Sequence, residues 1–302
     1  MFLSFLCDTV GSQRKAFQVK RKQASTLSRE VVRKGVGLFS GMEAQVRFLP
    51  APAGHGIVFQ RVDLDGSPLL PAQLQNVRGT PRCTILGSGD VCIQTVEHLL
   101  AALAAFGVDN LLVQLSGPEV PVFDGSSLAF VQMIEESGLV LLDDHSSIYQ
   151  LSQPIYWSEG DVQIVALPSE EYKISYTLHY PQSQLLSSQF FSVQVNDRQF
   201  KKEIAPCRTF SLYEEILPFI DKGLLKGGSL DNAVIVKDDK VMNPDGLRFP
   251  NEMARHKALD MIGDLSLVGV PFVAHVIAIR SGHYGNNAFA KELLHHIQLE
   301  IS

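Results

Sequence analysis

The sequence predicts an α+β fold of two similar domains, each a β-sheet packed with helices in a sandwich. The main observation is that one order of strand-like and helix-like segments runs twice along the chain. Several of these segments also alternate apolar and polar residues, which is the period of half-buried strands. With 302 residues, 45% of them hydrophobic, the chain is long enough to fill two cores.

In the first copy, four strands precede a helix, a further strand and a second helix. The predicted strands are Glu30–Val36, Glu43–Phe48, Gly56–Val62, Val91–Thr95 and Asn110–Leu115, and the predicted helices are Val96–Phe106 and Ser127–Glu136. Ala44, Val46 and Phe48 alternate with polar neighbours, so one face of their strand is expected in a core. Thr95 is predicted to cap the first helix and Gly107 to end it.

The second copy repeats this order and carries an inserted sub-motif. Its predicted strands are Gln153–Trp157, Asp161–Leu167, Lys173–Tyr180, Gln189–Val195 and Phe272–Arg280, and its helices are Pro250–Leu267 and Ala288–Ile297. The insertion, near residues 208–236, contains an apolar helix-like stretch, Leu212–Ile220, and a strand-like stretch, Ala233–Val236. An insertion of this kind beside a site usually shapes substrate access.

Three regions are predicted: an N-terminal extension (residues 1–24), a first α+β domain (25–145) and a second (146–302). The boundary falls in the polar cluster within Leu142–Ser147, which lies between periodic segments. The extension holds a basic run from Arg14 to Lys22. This run predicts a solvated tail, with a weak contact to the inner-membrane surface as the alternative.

Composition and missing motifs exclude several classes of protein. A formal net charge of -6 argues against nucleic-acid binding, which needs a basic patch. There is no apolar run of about 20 residues for a transmembrane segment, and the apolar Met1–Cys7 precedes the basic residues rather than following them, unlike a signal peptide. Cytoplasmic residence is therefore expected. The chain is also expected to be a monomer. The four cysteines form no CxxC pair and are expected as reduced thiols.

Three separated segments hold the residues that suggest a metal-dependent hydrolase. His256 and Asp260 lie four residues apart on one predicted helix, so both side chains rise from one face and form half of a zinc site. The alternative is a histidine paired with a carboxylate on a solvated face. Apolar neighbours such as Leu259 and Ile262 instead indicate a buried helix, where unpaired charges are costly. His98 supplies the further imidazole.

Glu97 and His283 remain available for acid–base chemistry. Adjacent helical residues project about 100° apart, so His98 can bind the metal while Glu97 acts on water as a general base. The alternative for Glu97 is a stabilising charge at a helix N-terminus. His283 follows the last strand in a glycine-flanked segment predicted as a loop, and Asp264 is the expected partner that orients it and raises its pKa.

A longer set of motifs resembles one enzyme family. The motifs are GVGLFSG (35–41), TVEHLLAAL (95–103), VDN (108–110), GPEVPVFDGSS (117–127), CRTF (207–210) and RHKALDMIGDL (255–265). Together they resemble the zinc-dependent UDP-3-O-acyl-N-acetylglucosamine deacetylases, which perform the committed step of lipid A synthesis in Gram-negative bacteria. The resemblance extends from about Thr26 to His295.

The resemblance implies a role for each matched residue. His98, His256 and Asp260 would be the Zn²⁺ ligands, and Glu97, His283, Thr209 and Asp264 the catalytic residues, with Thr209 polarising the amide carbonyl. Lys257 and Phe210 would contact the sugar and diphosphate of the substrate, UDP-3-O-acyl-N-acetylglucosamine. The insertion would hold the acyl chain.

Two positions depart from the family pattern. Phe39 stands where the family usually has a histidine, and Cys207 where it commonly has alanine. Three alternatives stay open at this point: another acylated amino sugar as substrate, a non-catalytic binder with a structural zinc, and iron(II) in place of zinc.

Overall fold

The computed structural model describes residues 16–301 and contains both copies of the predicted pattern. The elements of the first half are β1 (Phe17–Leu27), β2 (Val31–Val36), β3 (Glu43–Pro50), β4 (Ile57–Arg61), β5 (Leu69–Pro71), β6 (Val77–Gly79), β7 (Ile85–Ser88), β8 (Val91–Ile93), α1 (Glu97–Ala105), β9 (Leu111–Leu115) and α2 (Leu128–Ser137). A 3₁₀ turn at Leu74–Asn76 joins β5 to β6.

The second half begins within a long strand that follows α2. Its elements are β10 (Leu139–Leu151), β11 (Ile155–Glu159), β12 (Val162–Leu167), β13 (Lys173–Tyr180), β14 (Ser187–Gln194), α3 (Asp197–Gln199), β15 (Phe210–Leu212), α4 (Tyr213–Asp221), β16 (Val234–Lys237), β17 (Lys240–Val241), α5 (Glu252–Ser266), β18 (Phe272–Val273), β19 (His275–Ile279) and α6 (His283–Ile301). A π-helical turn, Phe200–Ile204, continues α3.

The two large sheets share one topology. The first has the strand order β2-β3-β9-β4-β5 and the second the order β11-β12-β19-β13-β14. In each sheet only the third and fourth strands of this order pair in parallel, and all other pairs are antiparallel. The predicted α+β class and the duplicated sheet-and-helix pattern are therefore confirmed.

The helices of the two halves pack against each other between the sheets. Helix α5 contacts β13 and β14, α6 contacts β11 and β12, and α2 contacts β2, while α1 packs along α5. Nearly every residue of α1 is buried, and so are most residues of α5. These two helices correspond in the repeated order, and they carry most of the predicted site residues.

Each half also has a small three-stranded sheet, whose strands precede the central helix of that half along the sequence. In the first half it consists of β6, β7 and β8, and in the second of β15, β16 and β17. Only the second has an additional helix, α4, which is the helix expected in the inserted sub-motif.

A three-stranded sheet of order β1-β10-β18 replaces the tail and the polar linker expected from sequence. Strand β1 pairs antiparallel with β10 from Phe17↔Leu151 to Leu27↔Leu139. The solvated-tail prediction is therefore wrong for residues 17–24, and Leu142–Ser147 is strand rather than loop. Arg14, Lys15 and Met1–Cys7 lie outside the described residues. The domain boundaries, the monomeric state and the cytoplasmic location stay predictions.

Smaller differences occur at element ends. Thr95 does not cap α1, because Val96 holds that position and no side chain caps it, whereas Gly107 follows the helix with a φ of 67°, as expected of a C-terminal stop. The strand predicted at Phe272–Arg280 is divided at Ala274. Helix α6 begins at His283, five residues before its predicted start. No helix in the described part of the chain is long and apolar enough to cross a membrane.

Candidate metal centre

The site depends on an unusually close approach of α1 and α5. A Cβ built on Gly263 would lie 2.1 Å from the backbone oxygen of Glu97, so only glycine permits the observed helix separation. This contact brings the first turn of α1, which carries Glu97 and His98, against the face of α5 that carries His256 and Asp260.

His98, His256 and Asp260 form a buried cluster. Their candidate ligand atoms all lie within 4.8 Å of one another. Oδ1 of Asp260 is 3.2 Å from Nε2 of His256 and 3.7 Å from Nε2 of His98, and the two imidazole rings are perpendicular with centroids 4.9 Å apart. Two ligands bound about 2.1 Å from a tetrahedral zinc would lie about 3.4 Å apart, so this spacing suits a metal.

The hydrogen bonds around the cluster leave the metal-facing atoms free. His256 donates its Nδ1–H to the carbonyl of Cys207 at 3.0 Å, which leaves Nε2 as the available donor atom. Oδ2 of Asp260 accepts a hydrogen bond from Lys257 Nζ at 2.8 Å, whereas Oδ1 is buried without a hydrogen-bond partner. A buried carboxylate oxygen of this kind is costly unless a cation binds it.

The protonation states also fit a metal. Burial lowers the pKa of His98, which keeps its imidazole neutral. For Asp260, burial acts to raise the pKa, but the neighbouring His256 and the Lys257 ammonium outweigh it and hold the pKa well below the usual range. Two imidazoles and an ionised carboxylate are the ligand types that divalent zinc and iron accept.

Glu97 lies beside this cluster, and its pKa is close to neutrality, as expected of a general base. Its side chain is 2% exposed, and burial raises its pKa to about 7, an effect that the charge of His283 partly offsets. Oε2 accepts the backbone N–H of Thr84 at 3.0 Å, and Oε1 lies 3.9 Å from Nε2 of His283. A carboxyl with a pKa near neutrality can both accept and return a proton.

His283 occupies the first position of α6, rather than the predicted loop. Its Nδ1–H donates to Oδ2 of Asp264 at 2.9 Å, and its Nε2 lies 3.9 Å from Oδ2 of Asp260. Burial acts to lower the pKa of His283, but the charges of Asp264, Asp260 and Glu97 outweigh it and raise the pKa to about 9. His283 and Asp264, which the sequence analysis expects to pair, therefore lie within hydrogen-bond distance.

The residues predicted to bind substrate line one side of the cluster. The Phe210 ring lies edge-on to His256 with centroids 6.5 Å apart, and Lys257 Nζ lies 5.7 Å from the centre of the Phe210 ring. Thr209 precedes Phe210 and is half-buried. Its hydroxyl makes no hydrogen bond to the other predicted site residues, as far as the described part of the chain shows.

A cavity of about 380 Å³ continues from Thr209 and Phe210 into the insertion. Its walls are mainly apolar side chains of α4 and the neighbouring strands, including Tyr213, Ile216 and Ile235. Phe39 also lines it, so the family's histidine position is apolar here. The loop that carries Phe39 is held by Glu119, which is 1% exposed and accepts the backbone N–H groups of Phe39 and Ser40.

Sequence reasoning missed the buried polar residues that support the site. Thr84, Asn286 and Asn287 surround Asp264 and His283 with hydrogen bonds. Arg208 is 1% exposed and pairs with the fully buried Glu252 through Nε at 2.9 Å, which ties the start of the insertion to α5. The sequence does not indicate this network, because its members lie up to 203 residues apart along the chain.

A buried His-His-Asp cluster, with a carboxyl of raised pKa beside it, defines a class of protein, the metal-dependent hydrolases. The chain belongs to the family of UDP-3-O-acyl N-acetylglycosamine deacetylases (LpxC), whose model matches residues 24–295.

Curated relatives agree with this family. The chain is 49% identical to the UDP-3-O-acyl-N-acetylglucosamine deacetylase of Chlamydia pneumoniae over 91% of its own length and 98% of that protein. It is 48% identical to the enzyme of the same name from Chlamydia felis, over 90% and 97%, and 46% identical to that of Chlamydia trachomatis serovar L2, over 91% and 96%.

Proposed function

We propose that this chain hydrolyses the N-acetyl group of UDP-3-O-acyl-N-acetylglucosamine, releasing acetate, as the committed step of lipid A biosynthesis. The main support is the placement of Glu97 beside the His-His-Asp cluster, joined to the family membership. His98, His256 and Asp260 would hold one Zn²⁺. The bound ion would supply a Lewis acid that polarises the amide carbonyl and lowers the pKa of water.

The chain's own residues would then move the protons. Glu97 takes a proton from the attacking water through Oε1, the oxygen that Thr84 does not occupy. His283, which Asp264 keeps protonated, places a positive charge beside the oxyanion of the tetrahedral intermediate, and Thr209 would donate a hydrogen bond to it. The C–N bond breaks as the amine receives a proton from Glu97 or His283, which leaves acetate and a free amine.

The substrate would lie across Phe210, Lys257 and the cavity. The Lys257 ammonium carries a positive charge that Asp260 stabilises, and it is 20% exposed, so it can approach a phosphate or sugar oxygen. The acyl chain would enter the apolar cavity of the insertion, and the ring of Phe210 at its mouth would pack against the sugar.

A non-catalytic binder with a structural zinc has less support. Structural zinc sites use four protein ligands, and the cluster found in the described part of the chain has three. A structural site also needs neither a base of raised pKa nor a protonated histidine beside the metal.

The deciding experiment is acetate release from UDP-3-O-acyl-N-acetylglucosamine by the purified chain. Activity that a chelator abolishes and zinc restores is expected, and iron(II) added in place of zinc tests which metal the site uses. Absence of acetate release by the fully metallated protein would overturn the proposal. Acetate release at an equal rate from UDP-N-acetylglucosamine, which lacks the 3-O-acyl chain, would overturn the assigned substrate.

A further inference from the structure

Thr84 contacts two of the three carboxylates that face His283, those of Glu97 and Asp264, although it belongs to no predicted motif. It directly precedes β7, its exposed fraction is 0%, and it lies 13 residues from Glu97 and 180 from Asp264. Its backbone N–H donates to Oε2 of Glu97 at 3.0 Å, and its hydroxyl donates to Oδ1 of Asp264 at 2.5 Å. One residue therefore binds the two groups that act on either side of His283.

In both carboxylates, one oxygen is bound by Thr84 and the other faces His283. Thr84 binds the far oxygen of each carboxylate, Oε2 and Oδ1. The near oxygens, Oε1 of Glu97 and Oδ2 of Asp264, are the ones that face His283, at 3.9 and 2.9 Å. A carboxylate held at one oxygen cannot rotate freely, so the other oxygen keeps its direction.

The Thr84 hydroxyl is itself fixed in orientation. Asn287 donates to Thr84 Oγ1 at 3.3 Å, so the hydroxyl accepts from Asn287 and directs its proton to Asp264. Asn287 also donates to the backbone oxygen of His283 at 2.8 Å, and Asn286 donates to Oδ2 of Asp264 at 2.9 Å. The network is buried throughout, and each missing hydrogen bond in it would leave a costly unsatisfied group.

From this arrangement, we propose that Thr84 is a positioning residue for the deacetylation reaction. Its hydroxyl orients Asp264 so that His283 faces the reacting carbonyl, at a fixed distance from Glu97. The inference rests on the proposed function, since it concerns the same reaction. It requires that removal of the hydroxyl alone lower turnover while substrate and metal binding persist.

Two matched comparisons separate the effect of the hydroxyl from the effect of side-chain packing: wild type with Thr84→Val, and Thr84→Ser with Thr84→Ala. Thr84→Val keeps the shape and the backbone N–H of the wild type but lacks the hydroxyl. Thr84→Ser and Thr84→Ala share a smaller size, and only serine retains the hydroxyl. The expected kcat of Thr84→Val is about tenfold to a hundredfold below wild type, with KM and metal content within about twofold. Thr84→Ser should exceed Thr84→Ala by a similar factor.

A second readout follows the hydrogen bond directly. The proton on Nδ1 of His283 should give a downfield NMR resonance that persists in Thr84→Ser and shifts or disappears in Thr84→Val. Turnover of Thr84→Val/Asp264→Asn should equal that of Asp264→Asn within about twofold, because both changes act through one bond.

Three results would overturn the inference. The first is a kcat of Thr84→Val within twofold of wild type, and the second is an equal decrease of kcat in Thr84→Ser and Thr84→Ala. The third is a kcat of the double variant that decreases by the product of the two single effects. If Thr84→Val is recovered unfolded, the serine and alanine pair decides alone. A wild-type chain without acetate release would instead remove the proposed function itself.

Discussion

Glu97 is the residue whose chemistry is most sharply defined by its surroundings. Replacement by glutamine keeps its size and most of its hydrogen bonding but removes the proposed base. We expect Glu97→Gln to lower kcat by at least about a hundredfold, with metal content unchanged. Steady-state kinetics and metal analysis test this. Glu135→Gln, at an exposed ion pair with Lys201, is the control and should behave as wild type. Substantial activity of Glu97→Gln would mean that another group is the base.

The raised pKa values of Glu97 and His283 predict a bell-shaped pH profile. In the proposed mechanism, activity needs Glu97 without its proton and His283 with one, so we expect kcat/KM to fall below about pH 7 and again above about pH 9. These values belong to the site without a metal ion. A bound cation would lower the pKa of Glu97 below about 7 and move the acidic limb of the profile to lower pH. The negative charge of Asp264 contributes to raising both pKa values.

Asp264→Asn tests this electrostatic coupling. Without the carboxylate charge, both pKa values decrease, so both limbs of the profile should move to lower pH. The measurement is kcat/KM across the pH range for wild type and variant. Unmoved limbs would contradict the assignment of His283 as the protonated group.

Among individual residues, the sequence predicted the candidate metal ligands better than the buried residues that hold the site in place. The spacing of His256 and Asp260 on a helix already indicates a metal half-site, since helical geometry alone brings them together. The roles of Thr84 and Asn287 depend on tertiary contacts between distant segments. A buried threonine carries no local pattern that separates a positioning role from ordinary packing.

At the scale of elements, the close contact of α1 and α5 predicts a strong response to one methyl group. Gly263→Ala would place Cβ 2.1 Å from the Glu97 backbone oxygen, so the helices must separate. We expect a loss of about 3 kcal/mol or more in the free energy of unfolding, measured by chemical denaturation. Gly282→Ala is the control, because its Cβ would meet no atom within 4 Å. Equal stability of the two variants would exclude the close contact as a constraint.

The central helices were predicted within two residues at each end, because long apolar segments with clear ends carry a strong signal. The pairing of β1 with β10 was missed. Much of β10 is exposed, so its sequence shows no alternation, and Asp143, Asp144 and Ser146 are typical of loops. Its strand conformation comes from pairing with residues more than 110 positions away.

For the molecule as a whole, residues 17–23, which precede the family match, belong to the fold. The match begins at residue 24, yet Phe17 is 2% exposed and its ring packs edge-on against Tyr149. Phe17→Ala should lower the free energy of unfolding by about 3–5 kcal/mol. Val19→Ala, on the same strand with Val19 54% exposed, should change it by less than about 0.5 kcal/mol. Similar small effects for both would show that the first part of β1 adds nothing to stability.

The proposed metal ligands are divided between α1 and α5, and this division bears on the synthesis and cleavage of the polypeptide. His98 is made early in synthesis, whereas His256 and Asp260 are made more than 150 residues later. A nascent chain, or a proteolytic fragment that contains only one of these helices, carries an incomplete metal site. On the proposed assignment, hydrolytic activity therefore arises only once both helices have docked, and a cleavage that lets the two helices dissociate would abolish it without changing any ligand residue.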